Sequence, residues 1–208
     1  MLKLNSELRA EARASLSGKW GIAAVITLIM AITAIALFIP LVGIIFYLLV
    51  LPVLVYGMII VFQKIFRGEQ FKIGNLFDGF HNYGRVLGTM LLIQVYITLW
   101  SLLLVIPGII KSYSYAMTPY LLRDNSSLSA DELIRKSMKM MEGNKMKLFL
   151  LDLSFIGWML LCILTLGIGL LWLEPYILSA RAAFYDDICE QMREKNKDHK
   201  RLFFKPEN

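Results

Sequence analysis

Three long stretches of the chain contain no charged residue, and they limit the folds that it can adopt. These stretches are residues 20–63, 86–110 and 153–173. A helix needs about 20 consecutive apolar residues to cross the hydrocarbon core of a bilayer. The first stretch is therefore long enough for two spans, and each of the others for at least one. A membrane barrel would show alternating segments of about 10 residues, which the sequence lacks, so we expect a helical membrane protein.

The composition excludes an ordinary soluble domain. Of the 208 residues, 57% are hydrophobic and 18% are charged, whereas soluble domains average about 45–50% and about 25%. The net charge of +6 does not indicate a nucleic-acid partner, because the Lys and Arg residues flank the apolar stretches. Such flanking charges set the orientation of membrane helices.

The predicted fold class is all-α: a polytopic membrane helix bundle with six transmembrane helices arranged as three hairpins. A single membrane domain over residues 1–190 precedes a charged cytoplasmic tail over residues 191–208. We place the spans at about residues 20–39, 42–62, 86–106, 107–122, 146–166 and 168–185.

The distribution of positive charge predicts the orientation. All but one of the 22 Lys and Arg residues lie in the termini, in the two long connections or near the inner end of the last span, and Lys111 is the exception. Because cytoplasmic segments carry an excess of Lys and Arg, we expect the cytoplasmic cell membrane as the location. Both termini would face the cytoplasm and the three short turns the outside.

Two polar segments have the pattern of amphipathic helices that lie on the membrane surface. In residues 4–17, Leu4, Leu8, Ala12 and Leu16 share one face, and the charged residues lie largely off it. A Ser-x-x-Glu capping box at residues 129–132 begins the second such helix.

A weak internal repeat accompanies this pattern. Each unit consists of a surface segment, a span, a tight Pro/Gly turn and a second span that contains a proline, with a period of about 60 residues. The prolines are Pro52, Pro119 and Pro175. Internal symmetry of this kind is common in transporter folds.

Four ionisable residues lie inside or at the edges of spans. Charged groups at this depth are costly, so they usually face the bundle interior and pair with one another. From their depths we expect Lys111 to pair with Glu174 in an outer layer and Asp152 with Arg181 in an inner layer. Alternatively, Lys111 lies close enough to the outer surface to extend into water.

Span four also carries a polar stripe. Lys111, Ser114, Tyr115 and Thr118 share a helical face by their spacing, whereas Tyr113 points elsewhere. This face could line a polar cavity or substrate path. It could equally supply interhelical hydrogen bonds that fix the packing, since Ser and Thr commonly join membrane helices.

The sequence contains no signature of an enzyme, so we expect no catalytic residue, no cofactor and no metal site. There is no HExxH, no Gly-rich phosphate loop and no GxSxG turn.

Several blocks of the sequence carry a resemblance to a known family. They are residues 107–122, 129–147, 151–158, 165–169 and 181–185, the last reading Arg-Ala-Ala-Phe-Tyr. The chain resembles a family of uncharacterised multi-pass integral membrane proteins of Gram-positive bacteria. It is also distantly similar to the membrane domain of glycerophosphodiester phosphodiesterases, but it lacks their catalytic barrel. The resemblance therefore implies a membrane architecture and no activity.

The sequence thus favours a non-enzymatic membrane scaffold or a protein that binds lipids or partners. Its partners would be membrane lipids, other membrane proteins or a second copy of the chain. The alternative is a small transporter or export factor with a polar intramembrane path. A lipid-modifying enzyme is a third hypothesis, supported only by the placement in a bilayer.

Overall fold

The computed structural model describes the backbone of residues 3–203 and the side chains of residues 3–194. This part of the chain is all-helical and has no strand, so the predicted all-α class is confirmed. Eleven α-helices follow one another in it: α1 (Asn5–Ser15), α2 (Trp20–Thr33), α3 (Val42–Ile45), α4 (Leu51–Phe66), α5 (Tyr83–Leu103), α6 (Val105–Tyr115), α7 (Thr118–Asp124), α8 (Ala130–Met140), α9 (Lys145–Leu153), α10 (Ile156–Leu164) and α11 (Leu170–Phe203). Ala34–Phe38 and Ile73–Phe80 are 3₁₀ helices, and Phe46–Val50 is a π-helix.

Four helical segments of the described chain are long and apolar enough to cross a membrane: Trp20–Phe38, Val42–Phe66, Tyr83–Leu103 and Lys145–Leu164. The predicted spans at residues 107–122 and 168–185 are not among them. The first is divided between α6 and α7, where Pro119 lies in the first turn of α7; a first turn tolerates proline because its N–H groups have no helical partner. The second forms the start of the 34-residue α11 and carries Glu174 and Arg181.

The end of the predicted single domain is not marked by a break in the backbone. Helix α11 runs without interruption from Leu170 to Phe203 and so continues into the segment predicted as a cytoplasmic tail. Residues 204–208 of that tail lie outside the described residues.

The chain reverses sharply at three leucines. Leu41 and Leu166 both adopt a positive φ, of 63° and 51°, and Leu104 has an extended backbone between α5 and α6. After each reversal comes a glycine where a Cβ atom would collide with the preceding helix: Gly43, Gly108 and Gly169. At each of the three predicted turns the chain after the leucine thus lies close against the preceding helix.

The first and third units of the predicted repeat match in backbone conformation. Gly18 follows α1 with φ of 72°, and Gly143 follows α8 with φ of 76°. These two glycines are separated along the chain by the same number of residues as Leu41 and Leu166, and Leu104 lies midway between the leucines. A left-handed conformation at the end of a helix favours glycine, so the match follows from sequence features present in both units.

The two amphipathic helices differ from the prediction in where their apolar faces lie. Leu8 and Ala12 of α1 and Leu16, which directly follows it, are fully buried, and in α8 Leu133 and Ser137 are fully buried. Helix α1 packs along α11, and α8 packs against α5, α6 and α7. Protein therefore covers these faces, which leaves little of them for a membrane surface.

Helix α1 runs antiparallel to α11. At one end, the backbone N–H of Lys3 donates to a carboxylate oxygen of Asp187 at 2.9 Å, and at the other end Nη2 of Arg13 donates to the hydroxyl of Tyr176 at 3.2 Å. The core lies beside this contact, where buried residues of α4 meet the small residues Ala180, Ala182 and Ala183 of α11. Small side chains let helix backbones approach closely.

Most of the exposed large apolar side chains lie in and around the three tight turns. They cluster in residues 28–49, 95–110 and 156–172. Contiguous apolar surfaces of this size are rare on soluble monomers and are typical of membrane or protein contact.

Replacing Leu8 tests whether the face of α1 is covered by protein or by lipid. Because Leu8 is fully buried among protein groups, we expect Leu8→Ala to lower the free energy of unfolding by about 2–5 kcal/mol. The matched control is Leu4→Ala, since Leu4 is 65% exposed. Steric trapping in bicelles would measure both variants, and equal small losses would contradict the packing of α1.

Candidate functional site

The predicted inner ion pair is present, and it forms the centre of a polar cluster between three helices. Arg181 of α11 contacts Asp152 of α9 through two hydrogen bonds, Nη2 to Oδ2 at 2.8 Å and Nε to Oδ1 at 3.1 Å. The hydroxyl of Tyr113 in α6 donates to the same Oδ2 at 3.2 Å. Both carboxylate oxygens thus have donors, which a carboxylate among apolar helices requires.

A cavity of about 370 Å³ adjoins this cluster. Arg181, Tyr113 and Ser112 line it together with apolar side chains of α5 and α6. The Arg181 side chain keeps 39% of its surface exposed, and the Asp152 side chain keeps 18%. The cluster therefore combines a nearly closed ion pair with one accessible guanidinium edge.

The predicted outer pair between Lys111 and Glu174 is absent. In the described part of the chain, neither residue takes part in a salt bridge, and Glu174 lies exposed on α11. The ammonium of Lys111 lies 4.8 Å from the ring centroid of Trp100 on α5. A cation over an aromatic face is stabilised by the ring quadrupole, and this contact accounts for the position of Lys111 without a carboxylate.

The predicted polar stripe of span four is divided by the break between α6 and α7. Ser114 and Tyr115 are buried at the end of α6, whereas Thr118 is buried in α7. The Ser114 hydroxyl donates to the carbonyl of Ile110, and its own carbonyl accepts a 2.8 Å hydrogen bond from Ser137 of α8. Ser114 therefore takes part in helix packing.

Tyr113 is the residue of this cluster that sequence reasoning missed, because the predicted stripe points away from it. Its ring packs edge-on against Phe149, with centroids 5.9 Å apart, and this contact directs the hydroxyl to Asp152. A carboxylate in an apolar span needs more than one donor, which is the signal that could have indicated a third partner.

A second cluster, absent from the sequence-based expectations, surrounds Arg67 at the end of α4. Its guanidinium makes hydrogen bonds to both oxygens of Asp124 at 2.8 and 3.0 Å, and to both oxygens of Asp186 on α11 at 2.6–3.2 Å. The Tyr185 hydroxyl donates to Asp124 at 3.0 Å, and the Tyr185 ring stacks on Tyr120. We call these residues the Arg67 cluster.

The charged residues of the Arg67 cluster lie outside the predicted spans, whereas Tyr120 and Tyr185 lie at the ends of two of them, and the charges affect one another's pKa values. Burial raises the pKa of Asp124, but the hydrogen bonds and charge of Arg67 outweigh it, so the net pKa lies below the ordinary value. Hydrogen bonds to Asp186 and Asp124 raise the pKa of Arg67. The cluster also lines a polar cavity of about 790 Å³, whose wall includes Lys136 and Glu190. Sequence reasoning missed it because its members are far apart in the chain.

The described residues contain no group of three or more His, Cys, Asp or Glu side chains placed to hold a metal ion. The carboxylates of both ionic clusters accept hydrogen bonds from guanidinium and phenol groups of other helices, so both clusters link helices.

These features define a class of protein: an all-helical chain with four helices long and apolar enough to cross a membrane and with ionic links between its helices. A family model described as "Protein of unknown function (DUF975)" matches residues 1–111 and 102–192, and the chain belongs to this family. No curated protein and no solved structure matches the chain. The expected membership of a family of unknown function is confirmed, while its Gram-positive distribution and the similarity to glycerophosphodiester phosphodiesterases stay predictions.

Two variants of the inner pair test whether Asp152 and Arg181 serve helix packing: one leaves the charge of Arg181 unpaired, and the other removes both charges. We expect Asp152→Ala to destabilise the protein by about 2–3 kcal/mol, less than the 3–5 kcal/mol of a fully buried pair, because Arg181 is partly exposed. The combined variant Asp152→Leu, Arg181→Met, Tyr113→Phe removes all three polar groups and should cost less. Unfolding in mixed micelles would measure both, and a combined variant less stable than Asp152→Ala would contradict the packing role.

The Arg67 cluster predicts a dependence of stability on acid pH. The folded state holds the pKa of Asp124 below its usual value of about 3.9. The unfolded chain therefore binds the proton first, so the stabilisation is complete above about pH 4 and is lost as the pH falls through the folded pKa.

We expect Arg67→Gln to lower the free energy of unfolding by about 2 kcal/mol at pH 7. The difference from the unmodified protein should narrow below pH 4. Arg135→Gln is the control, since Arg135 is 77% exposed and pairs only with Asp131 on the same helix. A difference that is constant from pH 7 to pH 3 would contradict the role of Asp124.

Proposed function

We propose that the protein is a non-enzymatic six-span protein of the cytoplasmic membrane that binds membrane lipids or partner membrane proteins and acts as a scaffold. Both termini face the cytoplasm, and the turns at Leu41, Leu104 and Leu166 face outside. The observation that carries this proposal is the use of Asp152: both of its oxygens are occupied by Arg181 and Tyr113. The charged groups among the apolar helices thus serve to join α6, α9 and α11.

Six spans are supported by the likeness of the three units. Helices α6 and α7 together cover Val105–Asp124, and α6 packs against α5 across the Leu104 turn. The start of α11 contacts α10 across the Leu166 turn, less extensively than α6 contacts α5. Five charged residues make these two segments less apolar than the others. Arg123, Asp124 and Arg181 form salt bridges, and Lys111 lies over the ring of Trp100.

Binding of lipids or membrane proteins is supported by the apolar surfaces near the turns. Phe38 and Leu166 are among the most exposed side chains of the described chain, and both belong to turns without charge. Such surfaces need a covering of lipid or of another apolar protein surface.

The cavity beside Arg181 favours a second candidate function, a small transporter or export factor. Ser112, Tyr113 and Arg181 give this cavity a polar edge. A substrate path needs water there, whereas a packing role does not.

Cysteine labelling distinguishes the two functions. In a variant with Cys162→Ala and Cys189→Ala, we expect Ser112→Cys to resist a membrane-impermeant maleimide, because a scaffold has no water-filled path at this site. Leu104→Cys should react on intact cells. Ser127→Cys, in the connection between α7 and α8, should react only after the cells are permeabilised.

Rapid labelling of Ser112→Cys would contradict the scaffold and favour the transporter. Labelling of Ser127→Cys on intact cells, with protection of Leu104→Cys, would overturn the proposed orientation. Loss of all labelling would reveal a misfolded variant, which size-exclusion chromatography of the same sample identifies.

A further inference from the structure

An aromatic groove of about 490 Å³ lies on a side of the molecule that neither ionic cluster occupies. It is bordered by the beginning of α2, by α10 and by the beginning of α11. Three of the four tryptophans of the chain line it: Trp20, Trp158 and Trp172. We call this surface the tryptophan groove. Its volume lies within the range of about 300–1,000 Å³ that is usual for small-molecule sites.

The walls of the tryptophan groove are fixed by aromatic contacts. Tyr176 packs edge-on against Phe155, with centroids 5.0 Å apart, and against Trp20, with centroids 6.4 Å apart. Trp158 and Trp172 keep 54% and 46% of their surface exposed. In the proposed topology Trp20 lies at the cytoplasmic end of the first span, where tryptophans of membrane proteins concentrate, whereas Trp158 and Trp172 lie nearer the Leu166 turn. The groove therefore runs from headgroup depth into the acyl-chain region.

The groove is apolar except at one end, where Arg13 lies. Nη2 of Arg13 donates to the hydroxyl of Tyr176 at 3.2 Å, and the guanidinium carbon lies 5.7 Å from the centre of the Tyr176 ring. Arg9 precedes Arg13 by one helical turn. In the described part of the chain neither arginine forms a salt bridge, whereas Arg67, Arg123 and Arg181 do.

We propose that the tryptophan groove binds one anionic phospholipid, with an acyl chain against the tryptophans and the phosphate at Arg13. This proposal deepens the proposed function and rests on it, because it names the class of lipid that the scaffold holds. Charge complementarity selects the occupant: the guanidinium matches a phosphate by bidentate hydrogen bonds. Phosphatidylcholine carries the same phosphate together with a choline cation, which weakens its attraction to Arg13, and an apolar helix offers no anion at all.

The position of Arg13 on α1 suits this role. Helix α1 is held along α11 by its buried apolar face and by the Lys3–Asp187 contact. The guanidinium is therefore presented at the groove by a docked helix and does not depend on a flexible segment. A pre-positioned cation loses less conformational freedom when the phosphate binds.

Competition between two lipids in one nanodisc tests the proposal. The protein is reconstituted with equal amounts of phosphatidylglycerol and phosphatidylcholine, and the lipids that remain bound after release are identified by native mass spectrometry. We expect the protein to retain phosphatidylglycerol at one lipid per chain. Arg13→Gln should lower the ratio of phosphatidylglycerol to phosphatidylcholine by about tenfold, the effect of losing one charged contact.

Two further variants distinguish the contribution of the phosphate to lipid binding from that of the acyl chain. Arg135→Gln removes the same charge far from the groove and should keep the ratio. Trp158→Ala should reduce the retention of both lipids without changing their ratio. Quenching of tryptophan fluorescence by brominated phosphatidylglycerol, in a Trp100→Phe background, would confirm that the retained lipid lies in the groove.

Equal losses of phosphatidylglycerol in Arg13→Gln and Arg135→Gln would overturn the proposal in favour of general charge attraction. Full retention by Trp158→Ala, or no retained lipid on the unmodified protein, would also overturn it. The cysteine-labelling pattern reports on the scaffold architecture independently of lipid retention, so failure of the groove and failure of the proposed function are distinguishable.

Discussion

The guanidinium of Arg67 is the group on which the arrangement of the three units depends. It follows α4 in the first unit, and it binds Asp124 at the end of α7 and Asp186 on α11. Apolar helices pack well in many relative positions, whereas paired guanidinium–carboxylate hydrogen bonds require one geometry. A single side chain therefore sets how the second helices of all three units lie beside one another.

Helix α11 contributes residues to both ionic clusters. Arg181 binds back to Asp152 within the third unit, and Asp186, less than two turns farther along, binds Arg67 of the first unit. Tyr185, beside Asp186, adds a second link to α7, because its ring stacks on Tyr120 and its hydroxyl donates to Asp124. Helix α11 is thus tied by charged groups to α9 and to the end of α4.

Much of the fold could be predicted from the sequence because it follows from local rules. Charge-free stretches gave the apolar helices, Pro and Gly gave the turns, and a capping box gave the start of α8, where the Ser129 N–H donates to Glu132 at 2.8 Å. The pair between Asp152 and Arg181 was also predictable, since two opposite charges at equal depth in apolar spans must find each other.

The remaining features depend on which helices are neighbours, and hydrophobic periodicity does not specify this. The sequence pattern of α1 fits an apolar face covered by lipid as well as one covered by protein. Only the contact of α1 with α11 shows that protein covers it. Lys111 has an aromatic partner in Trp100 because a tight turn brings α6 against α5, where depth alone suggested Glu174. The Arg67 cluster joins residues more than fifty positions apart, so no local pattern indicates it.

The docking of α1 on α11 has a consequence for the biosynthesis of the chain. Helix α1 leaves the ribosome well before α11, whose surface buries Leu8, Ala12 and Leu16. During elongation its apolar face must be covered in another way, and an amphipathic helix lies readily on the bilayer. The interfacial position that the sequence predicts thus describes the nascent chain, and the contact between Lys3 and Asp187 forms only after α11 has been made. A chain that stops before α11 would keep the apolar face of α1 on the membrane.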